Sequence, residues 1–503
     1  MKRFLKAMFC VTFFSVATRA LGFFLKIYLS RELGSTLLGS YQVAMSLFGV
    51  LMTLVSSGIP VVLSRNVSFY AGKKDNRAIG SIVSSGLILT LAICFIVSII
   101  VIFFPDVLNL IFTSNASSEM MLILLPALIF SAIYEVLRGA LWGKQEFFAI
   151  SFTEFIEQVA RIVIIAILFE TSLVNISSTN KTALSLSLAC VVSTIIVVII
   201  YFKKGGKLYN PKPELKLLLK TSSPITAVRT ISSFVSSIIA IIIPLRLMKF
   251  GYSSSEALSE FGIMMGMTFP LVMIPLTLIG SLAVTIIPSI SEQSNDIDKN
   301  KLKNIQPLKS KINFSIKTAI MFSGILMSTF IALGIPLCKF VYNNTEAGVY
   351  LSLSSVLMIP MGISQITSSI LNAIGLEMKS LKNYAFSAIL LIVSIYFLPE
   401  YIGTYSIIIG YLLMYLASCI LNIKMLAQRN LVGFDFIKTI TVMVLISIFS
   451  TLLGFSIYNL LNTNLIVTLL LCCSATIGST LALIYVFNVG NLKMIVMRRK
   501  NTA

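Results

Sequence analysis

The sequence predicts an all-α integral membrane protein of about fourteen transmembrane helices in two comparable halves of six with a C-terminal pair. Three observations carry this. Hydrophobic residues make up 57% of the 503, charged residues only 12%, and mean hydropathy is +0.96, against about 25% charged in soluble proteins. Apolar stretches near the ~20 residues needed to cross a bilayer recur along the chain. The 39 lysines and arginines fall on alternate sides of them.

In order, the expected spans are 5–30, 37–63, 79–104, 120–141, 149–169, 182–202, 221–248, 260–290, 313–337, 350–376, 383–399, 402–427, 437–460 and 464–488. The opening MKRFLK resembles a signal peptide, but the apolar run passes Arg19 and Lys26 without a small-residue cleavage site and reads as a retained first helix. With both termini cytoplasmic, 29 basic residues lie in inner segments, 4 in outer ones (Arg31, Lys181, Lys249, Lys339) and 6 within spans. That split is the positive-inside pattern of a multi-pass cell-membrane protein. The net charge of +20 is therefore topology, and nucleic acid is not an expected partner.

Histidine is absent, and the seven cysteines fall singly in apolar runs apart from Cys472 and Cys473, with no CxxC spacing. No zinc site, disulfide framework, phosphate-binding glycine loop or acid–base constellation follows, so neither an enzyme nor a resident cofactor is expected. The outer loops, under about twenty residues, are short for a membrane glycosyltransferase or polymerase.

The hairpin from Met120 to Phe169 carries six side chains that hydrocarbon rejects: Glu135 and Arg138, then Glu154, Glu157, Gln158 and Arg161. A charge at mid-bilayer costs at least ~2.5–3.5 kcal/mol, so such residues face a protein interior or a wet cavity. Glu135 with Arg138, and Glu157 with Arg161, are spaced to meet on one helix face. They either neutralise each other and lock two helices together or line a route for a polar substrate. The turn between the helices, GALWGKQEFF, holds the only tryptophan, Trp142.

Six cations lie within spans (Arg19, Lys26, Arg138, Arg161, Arg229, Arg246) against three anions, an excess of +3. Lys26 and Arg246 lie near outer helix ends and can snorkel. Arg19, ~20 Å up the first helix, and Arg229, ~13 Å up the seventh, cannot easily do so. Arginines lining a cavity suit phosphate or pyrophosphate, which they clamp with paired hydrogen bonds. For Arg229 the alternative is a contact with backbone carbonyls at a helix break.

Proline and glycine interrupt several spans: SSGIP from Ser56, Pro224 and Pro244 in the seventh, Pro270 and Pro275 among the glycines of the eighth, and Pro360 in the tenth. Such breaks in corresponding places of two halves point to a transporter with internal repeats, Pro60, Pro270, Pro275 and Pro360 being candidate hinges. RGALWGKQ and SSILNAIGLE close the fourth helix of each half. The expected domains are an N-lobe over 1–204, a cytoplasmic linker over 205–220, a C-lobe over 221–430, and two helices with a basic tail over 431–503.

TRALGFFLKIYLSRELGSTLLGSYQ (Thr18 to Gln42), SSGIPVVLSRNV, EFIEQVARIV, GIMMGMTFPLVMIPLTLIGSLAVTIIPSISE (Gly262 to Glu292) and QITSSILNAIGLEMK together resemble the stage V sporulation protein B-like flippases. Glu157, Gln158 and Arg161 stand at that family's Glu-Gln-x-x-Arg positions. The resemblance places the chain with the MOP superfamily of multidrug (MATE), oligosaccharidyl-lipid and polysaccharide exporters, akin to the lipid II flippase MurJ. It implies two six-helix lobes in a V around a central cavity. The turn at Ala140 to Trp142 and Phe147 to Ser151 departs from the family pattern of aromatic, glutamine and proline.

The function this implies is flipping a polyprenyl-pyrophosphate-linked glycan, a cell-wall or polysaccharide precursor, from inner to outer leaflet by alternating access. Arg19, Arg229 and Arg161 would hold the head group while Glu135, Glu154 and Glu157 tune their charge. A Na+ or H+ gradient, the membrane potential acting on bound charge, or removal of product would drive it. The expected partners are the lipid-linked glycan, membrane lipids and cell-wall synthesis enzymes, with the protein a monomer. The alternative is a cation-coupled drug exporter of the same superfamily.

Overall fold

The computed structural model describes residues 2–56, 58–103, 114–171, 176–298, 305–433, 435–461 and 464–489. Among the described residues there is no strand. The basic stretch from Lys299 to Lys303 and the tail from Asn491 lie outside them.

The first 55-residue helix, α1 (Lys2–Ser56), would be ~80 Å long if straight, more than twice a bilayer core. Gly34 divides it, at φ 68 and ψ 176, a conformation that costs glycine little. The break falls between the first two expected spans. After it come α2 (Ile59–Gly72), α3 (Asn76–Phe103), α4 (Asn115–Gly143), α5 (Phe147–Glu170), α6 (Ser178–Lys203), α7 (Lys212–Phe250) and α8 (Ser254–Phe261). A π-turn over Gly262–Thr268 leads into α9 (Phe269–Val272) and α10 (Ile274–Asp298). The rest is α11 (Gln306–Tyr342), α12 (Glu346–Ser354), a 3-10 turn, α13 (Met358–Ala373), α14 (Glu377–Phe397), α15 (Pro399–Ile402), α16 (Tyr405–Gln428), α17 (Asp435–Leu460) and α18 (Leu465–Val486).

Among the described residues eleven helices are long and apolar enough to cross a membrane, or up to twelve if the bent pair around Met273 is one span. The expected fourteen is not reached on length and composition, for two physical reasons. The stretch Phe13–Gly72 counts once despite its kink, and α5 is disqualified by its own charges. The eighth expected span is broken as its prolines and glycines predict, with a 41° bend between Ser254–Val272 and Ile274–Ala283. The seventh is not: α7 runs unbroken through Pro224 and Pro244. Arg246, expected to snorkel, is instead buried at 7% exposure.

The described chain forms two compact units, residues 1–262 and 263–503. In the first, Leu63, Val67, Ile82, Val136, Leu141 and Tyr201 build a core from α2, α3, α4 and α6. Gly139 and Gly143 let α4 approach α2: a Cβ on the former would stand 2.7 Å from the Pro60 carbonyl oxygen, and on the latter 2.6 Å from that of Ser64. The segment after α6 is pinned to α3 by serines, Ser81 donating to the Asn210 carbonyl and Ser85 to that of Pro211, each at 2.7 Å. α7 then packs on α1, α3 and α8.

In the second unit α17 and α18 dock on α11 through small polar residues, as close-packed membrane helices do. Ser328 and Thr480 hydroxyls lie 3.2 Å apart, Thr329 and Thr476 3.3 Å, and Ser447 donates to the Gly324 carbonyl at 3.2 Å. Their outer faces expose Leu445, Leu452 and Leu470.

Candidate functional site

The polar residues of α4 and α5 meet, but not wholly in the pairs their spacing predicts. Arg138 donates from Nη1 to Glu135 Oε1 at 2.8 Å, the expected i,i+3 pair, and its Nη2 lies 3.1 Å from Glu154 Oε1 across the hairpin. Thus one guanidinium bridges two helices. Each of the three side chains keeps a quarter to a third of its surface uncovered by protein.

Glu157 and Arg161 do not form the expected ion pair among the described residues. Arg161 instead reaches α1, where its Nη2 donates to the Tyr41 hydroxyl at 2.8 Å, while its buried Nε has no partner. Glu157 remains within electrostatic range of Arg161, Glu135 and Glu154, beside Ser193 of α6. Gln158 faces Gly22, whose missing side chain leaves 3.7 Å from a virtual Cβ to Nε2. The first half of α1 lies along α5: Phe14 meets Phe152 and Phe155 edge-on at 5.8 and 5.4 Å, and Tyr28 meets Phe169 at 6.1 Å. Lys26 is drawn close enough to Arg161 for the two charges to repel.

A cavity of about 550 Å³ in the first unit is lined by Glu135, Arg138, Gly139 and Trp142 of α4, Met52, Thr53 and Ser56 of α1, Pro60, Val61 and Ser64 of α2, and Arg229 of α7. Arg138 stands over the Trp142 ring, 5.1 Å from its centroid. Thus residues singled out on the fourth and seventh expected spans share one space. Arg19 is exposed and is not among the lining residues. Of the candidate hinges, Pro60 opens α2 and lines the cavity, Pro270 lies in α9, Pro275 follows the bend at Met273, and Pro360 lies in the first turn of α13.

The turn after α4 is clipped to α6. Glu146 pairs with Lys204 at 2.9 Å, and Lys144 lies 5.5 Å over the Tyr201 ring. Burial holds Lys144 below the ordinary lysine range, against the pull of Glu146.

Sequence reasoning missed Tyr41 and Tyr134. The Tyr134 hydroxyl is buried without a partner, within electrostatic range of Glu154, Glu157 and Arg138. Its position directly before Glu135 was the available signal. For Tyr41 there was none, because its role depends on which helix lies beside α5.

The polysaccharide biosynthesis protein family matches residues 4–294, more than half of the chain. The chain is 22% identical over 398 residues to stage V sporulation protein B of Bacillus subtilis, covering 77% of this chain and 76% of that protein. The solved structure of the lipid II flippase MurJ in an inward closed conformation superposes with a TM-score of 0.74 at 16% identity, over 95% of this chain and 99% of the other. An inward-facing MATE family multidrug resistance transporter of the MOP superfamily gives 0.67 at 17% identity, over 83% and 94%. These structures share its fold. On the match over residues 4–294, the chain belongs to the polysaccharide biosynthesis protein family.

Proposed function

We propose that this protein flips a polyprenyl-pyrophosphate-linked glycan from the inner to the outer leaflet. The observation that carries the reading is the cavity at which Arg229 of α7 joins Arg138, Glu135 and Trp142 of α4 among Met52, Pro60 and Val61. The Arg229 guanidinium beside an apolar wall suits a head group that is anionic at one end and lipid at the other, Arg138 being matched by Glu135 and Glu154. A family devoted to polysaccharide biosynthesis, and a fold shared with a flippase for a lipid-linked wall precursor, support the same reading. The helix break before Pro60 and the bend between Pro270 and Pro275, with Pro360 at the start of α13, supply hinges for alternating access. A Na+ or H+ gradient or the membrane potential drives the cycle.

The test is leaflet translocation of a polyprenyl-pyrophosphate glycan in vesicles, comparing wild type with Arg229→Ala and Arg19→Ala. Arg229→Ala is expected to lose at least about tenfold, the value of one charge-assisted contact to phosphate, with unchanged membrane insertion. An unchanged rate would remove Arg229 from the site.

A cation-coupled exporter is the second reading, favoured by the neutralisation of Arg138 by two carboxylates with Glu157 nearby. Ion-driven efflux of an organic cation that is abolished by Glu157→Gln, from a wild-type protein that does not flip the glycan lipid, would establish it instead.

A further inference from the structure

Trp142 is the chain's only tryptophan, and a tryptophan at the end of a spanning helix ordinarily anchors in the lipid headgroup layer. The Trp142 ring lines the cavity with Arg138 and Arg229, Arg138 stands 5.1 Å from its centroid, and Phe147 abuts it at 84°. With both neighbours in place the residue is still 45% exposed. An indole held by a cation and an edge-on ring is preorganised, and preorganised surface loses little entropy on binding. The uncovered part of the residue, in one cavity with the Arg229 guanidinium, is matched by the weakly polarised C–H face of a pyranose.

We propose that Trp142 forms a saccharide subsite that stacks on the sugar ring attached directly to the pyrophosphate. This rests on the flippase reading and adds a specificity that reading lacks, namely selection for glycan-bearing over bare carrier.

Because there is no other tryptophan, emission excited at wavelengths beyond tyrosine absorption reports, in the purified chain, on this ring alone. It is titrated in detergent micelles with polyprenyl-pyrophosphoryl disaccharide and, separately, with sugar-free polyprenyl pyrophosphate. The disaccharide lipid is expected to change the emission saturably and the bare carrier to leave it nearly unchanged. With a radiolabelled lipid, Trp142→Ala is expected to weaken the disaccharide form about tenfold and the bare form less than about twofold, and Trp142→Phe to restore most of the loss. Equal emission changes with the two lipids, or equal losses in Trp142→Ala, overturn the sugar subsite and leave the flippase reading standing. Failure of the disaccharide lipid to bind wild type overturns both.

Discussion

Arg138 shares its charge between a carboxylate one turn away on its own helix and another across a hairpin. Removing it leaves Glu135 and Glu154 facing each other with nothing between them, a costlier state than losing all three charges. A double-mutant cycle of Arg138→Gln with Glu135→Gln, read by thermal unfolding in detergent, is therefore expected to give a coupling of about 1 kcal/mol, modest because both groups are a quarter exposed. Zero coupling would mean that Glu154 alone holds the arginine. The i,i+3 pairing was legible because a helix repeats every 3.6 residues. The bridge to Glu154 and the diversion of Arg161 to Tyr41 were not, because periodicity fixes the face a side chain occupies and says nothing of the neighbour opposite. The same limit applies to Arg229: its depth was readable, and its companions in the cavity were not.

Each unit contains the same helix-to-helix turn, 230 residues apart, built in different chemistry. After α4 the amides of Lys144, Gln145 and Glu146 donate to Ala140, Trp142 and Leu141; after α13 those of Ile374, Gly375 and Leu376 donate to Ile370, Asn372 and Leu371. The left-handed position is Gln145 in one, at φ 62, and Gly375 in the other, at φ 76. The same pattern also closes α2, at Lys73 to Asp75, and α6, at Lys204 to Gly206, so it is a general helix-end cap that RGALWGKQ and SSILNAIGLE share with other turns of the chain. A left-handed residue with a Cβ costs roughly 1–2 kcal/mol, offset by ~0.5–1 kcal/mol of glycine's extra chain entropy. Gln145→Gly is accordingly expected to raise the thermal midpoint slightly and Gly375→Ala to lower it, and shifts of the same sign would contradict the equivalence. Helix contact gives a second expectation. Gly143→Ala drives a methyl against Val67 and the Ser64 carbonyl and is expected to cost ~1–3 kcal/mol, whereas Gly49→Ala, with nothing within 4 Å, is expected to be neutral or stabilising. Equal effects would mean that α2 and α4 do not touch as described. Proline alone proved a poor guide to breaks, since one lost hydrogen bond leaves the ladder of α7 continuous; the break before α10 needs glycines and two prolines together.

At the scale of the molecule, the direction of transport depends on which face each turn occupies. On the positive-inside rule the 29 to 4 division predicts that the turn at Lys144 and the segment before α7 lie on the cytoplasmic face, and Lys181 and Lys249 on the other. Among the described cysteines five are buried and Cys473 is half-covered, so a background with both Cys10→Ser and Cys473→Ser keeps only those five buried thiols beside a newly introduced one. In intact cells a membrane-impermeant maleimide is expected to label Lys181→Cys and Lys249→Cys at once, and Leu208→Cys, 48% exposed, only after the membrane is opened. If Leu208→Cys reacted in intact cells, the Trp142 end of the cavity would face outward. A substrate made in the cytoplasm would then meet the opposite end first, and the pyrophosphate would have to cross the hydrocarbon before reaching Arg138 and Arg229.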